Sequence, residues 1–378
     1  MNAAPNMDFA PMQESFANGE LVVETKNRVA HLTLNRPQAL NALSYDMIRS
    51  MADLFTQWAK DPRIFAIVMK GAGEKAFCAG GDIRALRDSA LNDGSLHHDF
   101  FIDEYRLDYQ LHRYVKPVIC LLDGFVMGGG MGISQGSGYR IVGPRTRMAM
   151  PETGIGLFPD VGGSYFLSRS KVGLYLGLTG VTIKAADALY AGLADRYAST
   201  ESIATLLAEL ETLNWSNQPV NDVAKLIERH AGHAGDAPLE KLQSAIDAHF
   251  IPQRSVAEII ASLDTETECE LADWATETAA TLRKRSPVML EVTRRQLNRG
   301  GKQTLAESFR MELGMVYECF EHGDLLEGIR AVIIDKDNAP KWRPPMLGEV
   351  TDAQLAAFFA DRWAGAAHPL ANLETLYG

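Results

Sequence analysis

Two uninterrupted apolar runs in the first half of the chain, residues 64–69 and 117–122, restrict the fold more than any other feature. A strand that buries one face alternates apolar and polar residues, whereas a strand without alternation is covered on both faces, as in parallel sheets. Parallel strands need crossover connections, which are usually helices. The two runs therefore predict an α/β core with helices packed on its sheet.

Shorter strand patterns surround these runs, and helical patterns fill the second half of the chain. We expect further strands at residues 21–26, 29–34, 139–142 and 147–150, and a helix over 44–60 capped by Ser44. Beyond about residue 161, helical spacing recurs at residues 202–213, 220–230, 239–249, 256–263, 268–282, 287–297, 305–320, 325–334 and 352–359. We therefore expect a disordered tail at 1–19, an α/β core at 20–215, and a helical extension at 216–378 that covers the core.

The composition and charge exclude several classes of protein. The 378 residues include 48 acidic and 37 basic ones, a net charge of −11, so the chain should repel nucleic acids. Its 4 cysteines form no Cys-x-x-Cys pair, which argues against a disulfide framework and suits a reducing compartment. No run approaches the ~18 apolar residues of a membrane span. Residues 1–20 contain no Lys or Arg, unlike a signal or transit peptide, so we expect a cytoplasmic protein.

A glycine-rich segment follows each of the two apolar runs. The first is Ala-Phe-Cys-Ala-Gly-Gly-Asp at residues 76–82, and the second is Asp-Gly-Phe-Val-Met-Gly-Gly-Gly-Met-Gly at residues 123–132. A glycine turn that opens a helix leaves backbone N–H groups free to donate hydrogen bonds. Two such loops facing each other could stabilise a negative charge that develops on an oxygen. Either loop alone would more often be a tight turn.

Two carboxyl groups eight residues apart, Glu152 and Asp160, each follow a proline among apolar and glycine residues. A carboxyl group in such surroundings tends to lose its solvent, which raises its pKa and makes it a usable base or nucleophile. Asp160 could instead cap a helix that starts at Val161, and Glu152 could be an acid in a first helical turn. The segment by itself leaves both interpretations open.

Three other patterns carry less weight. Residues 71–76 fit the G-x-G-x-x-A pattern of dinucleotide binding, but the residues that follow do not continue as a helix. Residues 132–136 fit G-x-S-x-G, but no strand precedes Ser134, and a helix packed through small residues explains the segment better. The histidines at 97, 98, 230 and 233 have no carboxylate or thiol at metal-ligand spacing, so we expect no metal site.

Taken together, the motifs resemble the crotonase (enoyl-CoA hydratase/isomerase) superfamily. The resemblance rests on residues 32–37, 40–43, 76–82, 116–117, 128–130 and 150–152. Residues 151–163, 327–331, 335–336 and 340–342 are similar to the 3-hydroxyisobutyryl-CoA hydrolase branch of that superfamily. The similarity extends from about residue 20 to about residue 345.

The resemblance implies a fold, a substrate class and a set of site residues. The fold would be a spiral of ββα units with a long α-helical C-terminal region. The substrate would be an acyl-CoA thioester, with no cofactor beyond it because CoA is part of the substrate. The N–H groups of Gly81 and Gly129 would form an oxyanion hole for the thioester oxygen. Glu152 and Asp160 would be the catalytic pair, and Glu104 would contact the polar end of the substrate.

Two positions bear on the type of reaction. By the resemblance, hydratases have a glutamate where this chain has Gly132, and glycine where it has Asp160. This favours hydrolysis of a short branched 3-hydroxyacyl-CoA, such as 3-hydroxyisobutyryl-CoA of valine catabolism. Glu152 would attack the carbonyl or activate water, and Asp160 would orient the 3-hydroxyl or the water.

Two other functions remain open on the sequence. One is an enoyl-CoA hydratase or isomerase that works with one main acid, and the other is a non-catalytic acyl-CoA-binding protein. A homo-oligomer is compatible with the resemblance, since members of the superfamily often form trimers.

Overall fold

The strands form two sheets. A computed structural model of the chain describes residues 12–377. Its ten strands are β1 (Met12–Phe16), β2 (Leu21–Lys26), β3 (Val29–Leu34), β4 (Ala66–Gly71), β5 (Ala76–Cys78), β6 (Val118–Leu122), β7 (Phe125–Met127), β8 (Tyr139–Val142), β9 (Arg147–Ala149) and β10 (Arg196–Tyr197). The larger sheet has the order β1-β2-β3-β4-β6-β8-β10, and the smaller one has the order β5-β7-β9.

Helices follow the strand pairs and then make up most of the second half. In the first half they are α1 (Tyr45–Lys60), α2 (Ile83–Leu91), α3 (Leu96–His112), α4 (Gly129–Gln135), α5 (Gly163–Phe166), α6 (Gly173–Thr179) and α7 (Ala185–Tyr190). The later ones are α8 (Thr200–Thr212), α9 (Pro219–His230), α10 (Pro238–His249), α11 (Val256–Asp264), α12 (Ala272–Lys284), α13 (Pro287–Gly300), α14 (Leu305–Glu321), α15 (Leu325–Ile329), α16 (Asp352–Ala357) and α17 (Leu373–Tyr377). None of these helices is long and apolar enough to cross a bilayer.

The strand order confirms the expected spiral of ββα units. Strands β4, β6 and β8 lie in the larger sheet, and each is followed along the chain by β5, β7 or β9 of the smaller sheet. From β3 to β10 the larger sheet is parallel, as is the whole smaller sheet, while β1, β2 and β3 pair antiparallel. Equivalent strand ends of the smaller sheet therefore lie at one edge, which is where the glycine-rich loops begin.

Burial of the larger sheet on both faces explains the continuous apolar runs. In β4, Ile67 and Met69 belong to the main core, whereas Val68 lies in a second core on the opposite face. There it packs in one cluster with Leu206 of α8 and Leu226 of α9. The expected boundary at residue 215 falls in the connection between these two helices.

Part of the predicted disordered tail is a strand. Residues 1–11 lie outside the described residues, but β1 pairs with β2 from Met12 opposite Thr25 to Phe16 opposite Leu21. A 3₁₀ turn, Ala17–Gly19, joins the two strands. The prediction of disorder is therefore wrong for residues 12–19. Backbone pairing at the sheet edge orders this segment, and its exposed polar side chains give no apolar alternation to recognise.

Candidate active site

The two glycine-rich loops lie side by side. Because β5 and β7 are parallel neighbours, the loops that follow them leave the same edge of the smaller sheet. A Cβ built on Gly80 would lie 3.7 Å from the nitrogen of Gly129, and one on Gly129 would lie 3.3 Å from the nitrogen of Gly81. The two backbones are thus neighbours, and at Gly129 a Cβ would be closer to Gly81 than ordinary contact allows.

The N–H groups of Gly81 and Gly129 are directed away from regular backbone partners. Leu43 donates to the carbonyl of Gly80 at 2.8 Å and accepts from the nitrogen of Asp82 at 2.9 Å. Since successive N–H groups of an extended segment alternate in direction, the N–H of Gly81 points to the opposite side. Gly129 is the first residue of α4, so no helical carbonyl precedes it by one turn. Both glycines line one cavity of about 400 Å³.

Three carboxyl groups line the same cavity. Glu104 comes from α3, Glu152 begins the 3₁₀ turn Glu152–Ile155 after β9, and Asp160 lies in the loop before α5. Each is at most 5% exposed. A Cβ on Gly129 would be 2.5 Å from Oε1 of Glu104, and one on Gly128 would be 2.9 Å from Oε1 of Glu152. All the site residues expected from the sequence surround this cavity: Gly81, Gly129, Glu104, Glu152 and Asp160.

Asp160 accepts a hydrogen bond from a tyrosine and does not cap a helix with its side chain. Its Oδ2 lies 2.7 Å from the hydroxyl of Tyr105, and its backbone carbonyl accepts from the nitrogen of Gly163 at 2.7 Å. Helix α5 begins only at Gly163. Burial raises the pKa of Asp160 to about 6, and the hydrogen bond from Tyr105 opposes that rise.

Glu152 and Glu104 are buried with incomplete hydrogen bonding. Oε2 of Glu152 and Oε1 of Glu104 have no hydrogen-bond partner among the residues that the structure describes. Burial and the negative charge of Asp160 raise the pKa of both groups. For Glu152, the guanidinium of Arg285 opposes the rise. Such a carboxyl group is a poorly solvated base or nucleophile whenever it is ionised.

Arg285 is a cavity residue that the sequence did not single out. It lies directly after α12, lines the cavity, and donates from Nε to the carbonyl of Thr179 at 3.1 Å. A single arginine at a helix end has no motif by which to recognise it. The extension also supplies Val332, Ile333 and Asn338 to the cavity wall.

The space beside Gly132 is occupied by Asp108 and Val161. A Cβ on Gly132 would lie 2.7 Å from Oδ2 of Asp108 and 2.6 Å from Cβ of Val161. Asp108 follows Glu104 by one turn of α3, is completely buried, and has neither oxygen hydrogen-bonded within residues 12–377. Burial and the neighbouring acids raise its pKa. Position 132 therefore has no room for a side chain in this arrangement.

The weaker motifs have structural explanations. Ser134 is completely buried in α4, and its hydroxyl donates to the carbonyl of Met131 at 3.0 Å, as a helix packed through small residues predicts. Residues 71–76 connect β4 to β5 and open no helix. Within the described part of the chain, the one group with metal-ligand proximity is Glu318, Glu321 and His322, an acidic cluster whose two glutamates pair with Arg362.

Comparison with known proteins gives consistent matches over most of the chain. The family described as enoyl-CoA hydratase/isomerase matches residues 29–359. The mitochondrial 3-hydroxyisobutyryl-CoA hydrolase of Danio rerio is 40% identical over 348 residues, covering 90% of this chain and 89% of that protein. The protein of that name from Homo sapiens is 37% identical over 351 residues, covering 90% and 88%.

Two solved structures also match over most of the chain. A carnitinyl-CoA dehydratase from Mycobacterium thermoresistibile is 39% identical, with a TM-score of 0.83, and the match covers 91% of this chain and 97% of that one. An enoyl-CoA hydratase from Rhodobacter sphaeroides is 34% identical, with a TM-score of 0.82 and coverage of 91% and 98%.

The expected cytoplasmic location is contradicted by these matches, because the curated relatives are named mitochondrial proteins. That expectation rested on the missing basic residues near the start of the sequence. The absence of a recognisable targeting sequence is weak evidence for any compartment.

Proposed function

The chain belongs to the enoyl-CoA hydratase/isomerase family, and from that membership we propose that it hydrolyses 3-hydroxyisobutyryl-CoA to 3-hydroxyisobutyrate and CoA, a step of valine catabolism. The observation that carries the proposal is the arrangement of Glu152 and Asp160 around the cavity lined by Gly81 and Gly129, with no side chain at position 132.

The N–H groups of Gly81 and Gly129 form the oxyanion hole in this proposal. Attack at a thioester carbonyl moves negative charge onto the carbonyl oxygen. Two preorganised backbone donors in a site with little water stabilise that charge without having to reorient during the reaction. The close approach of the two loops, 3.3 Å from a Cβ on Gly129 to the nitrogen of Gly81, supports one oxygen accepting from both.

Glu152 supplies the attack at the carbonyl carbon. As a nucleophile, its carboxylate forms a C–O bond while the C–S bond breaks, which gives a mixed anhydride and a CoA thiolate that takes up a proton. Water then hydrolyses the anhydride and restores the carboxylate. As a general base, Glu152 instead takes a proton from the attacking water, and the tetrahedral intermediate expels the thiolate directly. Both routes need Glu152 ionised.

Asp160 and Glu104 orient the substrate in this scheme. The carboxyl group of Asp160 orients the 3-hydroxyl group or the attacking water and assists protonation of the leaving thiolate. Glu104 stands beside Gly129, where it contacts the polar end of the acyl group. The chemistry uses only side chains and backbone groups of this chain, and CoA enters as part of the substrate.

The experiment that tests the proposed function measures free CoA released from a set of acyl-CoA thioesters. The set contains 3-hydroxyisobutyryl-CoA, 3-hydroxypropionyl-CoA, isobutyryl-CoA and crotonyl-CoA. We expect thiol release to be fastest from the branched 3-hydroxy thioester and much slower without the hydroxyl group. Loss of the enoyl absorbance of crotonyl-CoA without thiol release would instead indicate a hydratase, and no turnover of any thioester would indicate a binding protein.

A further inference from the structure

A buried glutamate from the helical extension holds the loop that carries Asp160. Glu312, on α14, is completely buried. Its Oε2 accepts from the nitrogen of Gly162 at 2.7 Å, and its Oε1 accepts from the nitrogen of Ser164 at 2.8 Å. A carboxyl group whose two oxygens each accept from a backbone donor fixes the path of the chain between those donors.

The loop needs such support because its backbone is unfavourable. Val161 has a φ of 51° and Gly162 a φ of 85°, and a left-handed conformation is rare for a β-branched residue. Gln296 of α13 supports the other side of the loop, donating to the carbonyl of Pro159 at 2.6 Å and to the hydroxyl of Ser164 at 2.8 Å. Strained backbone persists only where the surrounding structure imposes it.

Asp160 depends on this support for its direction. Its carboxyl group is buried and accepts from the hydroxyl of Tyr105 on α3 at 2.7 Å. A change of one ångström in the 160–164 backbone would alter both that hydrogen bond and the approach of Asp160 to the cavity. Misplacement on that scale can cost about 10²-fold in rate.

We propose that Glu312 is a positioning residue of the hydrolysis reaction, which acts by fixing the Val161–Ser164 backbone so that Asp160 keeps its orientation. The inference rests on the proposed function, since it depends on the role given there to Asp160. It also gives the helical extension a part in the reaction besides covering the core. Burial and repulsion by Asp160 raise the pKa of Glu312 to about 8, and the N–H groups of Gly162 and Ser164 oppose that rise.

The test compares Glu312→Ala and Glu312→Gln with a matched control, Glu291→Gln. Glu291 is also a buried glutamate that accepts a backbone N–H, from Val256 at 2.7 Å, but it lies outside the cavity wall. We expect Glu312→Ala to lower kcat for thiol release about 10²-fold with KM within threefold, since the reacting group is misplaced while binding remains. We expect Glu312→Gln, which keeps one acceptor oxygen, to lower kcat about tenfold. The kcat of the control, Glu291→Gln, should stay within twofold of the wild-type value.

A double variant separates positioning from general stability. Tyr105→Phe removes the hydrogen bond that the carboxyl group of Asp160 itself accepts, so its effect and that of Glu312→Gln should combine to less than the product of the two. A product of independent effects, a kcat within twofold for Glu312→Gln, or an equal loss in Glu291→Gln would overturn the inference. Glu312→Gln decides the matter if Glu312→Ala does not fold. Absence of thiol release by the wild type would instead refute the proposed function.

Discussion

Replacement of Gly129 by alanine tests the oxyanion hole at its most crowded point. The added Cβ would lie 2.5 Å from Oε1 of Glu104, about 0.9 Å closer than ordinary contact at 3.4 Å. It would also lie 3.3 Å from the nitrogen of Gly81, in the space that an oxygen accepting from that N–H needs. The methyl group therefore displaces Glu104 and obstructs the site proposed for the thioester oxygen.

Alanine keeps the backbone N–H at position 129, but its methyl group obstructs the approach of the thioester oxygen, so we expect an effect like that of losing one donor. Removal of one oxyanion-hole donor typically costs about 10²–10³-fold in kcat, equivalent to about 2.7–4 kcal/mol of transition-state stabilisation. Overpacking costs a further ~1–3 kcal/mol of folding free energy, which a domain of ordinary stability tolerates. We expect kcat for CoA release from 3-hydroxyisobutyryl-CoA to fall by that factor, with a smaller change in KM, in a protein that still unfolds cooperatively in urea.

Gly348→Ala is the control, because a Cβ at that position meets nothing within 4 Å. Its kcat and urea midpoint should match those of the wild type. A folded Gly129→Ala protein with kcat within threefold of wild type would refute the assignment of the thioester oxygen to this pair of loops.

Two further predictions concern buried acids. Tyr105→Phe removes a hydrogen bond that holds the pKa of Asp160 down near 6. The acid limb of the pH profile of kcat should therefore move to higher pH. An unchanged acid limb would mean that ionisation of Asp160 does not control the rate. Asp108→Asn should become increasingly stable relative to wild type as pH rises. Asp108 has a raised pKa when folded and an ordinary one, about 3.9, when unfolded, so folding of the wild type takes up a proton above that pH. Between pH 5 and 7 the unfolding free energy of Asp108→Asn should gain on that of the wild type by up to about 2.7 kcal/mol. If urea titrations give the same difference at both pH values, Asp108 is not buried in its protonated form.

Elements defined by local patterns were predictable from the sequence. The strands at residues 21–26, 29–34 and 139–142 have the expected bounds, and Ser44 caps α1 by accepting from the nitrogen of Met47 at 3.2 Å. These features depend on side-chain alternation and on a capping side chain next to the helix start, which neighbouring residues determine.

Helix α3 was missed for a physical reason. Its acids Glu104 and Asp108 are buried together with its aromatic residues, so its sequence does not separate into a polar and an apolar face. A helix buried on most sides lacks the periodicity by which surface helices are recognised. The three-residue strands β5 and β7 were missed because they lie inside the glycine-rich segments, whose composition is typical of turns.

The residues of the candidate site that belong to sequence motifs were predictable. The residues that reach the site only through long-range contacts were not. The glycine loops and the Glu152–Asp160 segment stand out in the sequence. Their supports do not, since Tyr105 is 55 residues from Asp160 and Glu312 is 150 residues from Gly162. Which distant side chain meets a loop depends on the packing of whole helices, and no local pattern records it.

The most direct test of the hydrolase proposal is thiol release by Glu152→Gln with 3-hydroxyisobutyryl-CoA as substrate. Glutamine preserves the shape of the side chain but can neither attack the carbonyl nor accept a proton from water. We predict that release of free CoA falls by at least about 10²- to 10⁴-fold, the usual contribution of a general base, while the protein stays folded and still binds the thioester. Near-normal release of CoA by this variant would contradict the proposal that Glu152 drives hydrolysis in this cavity.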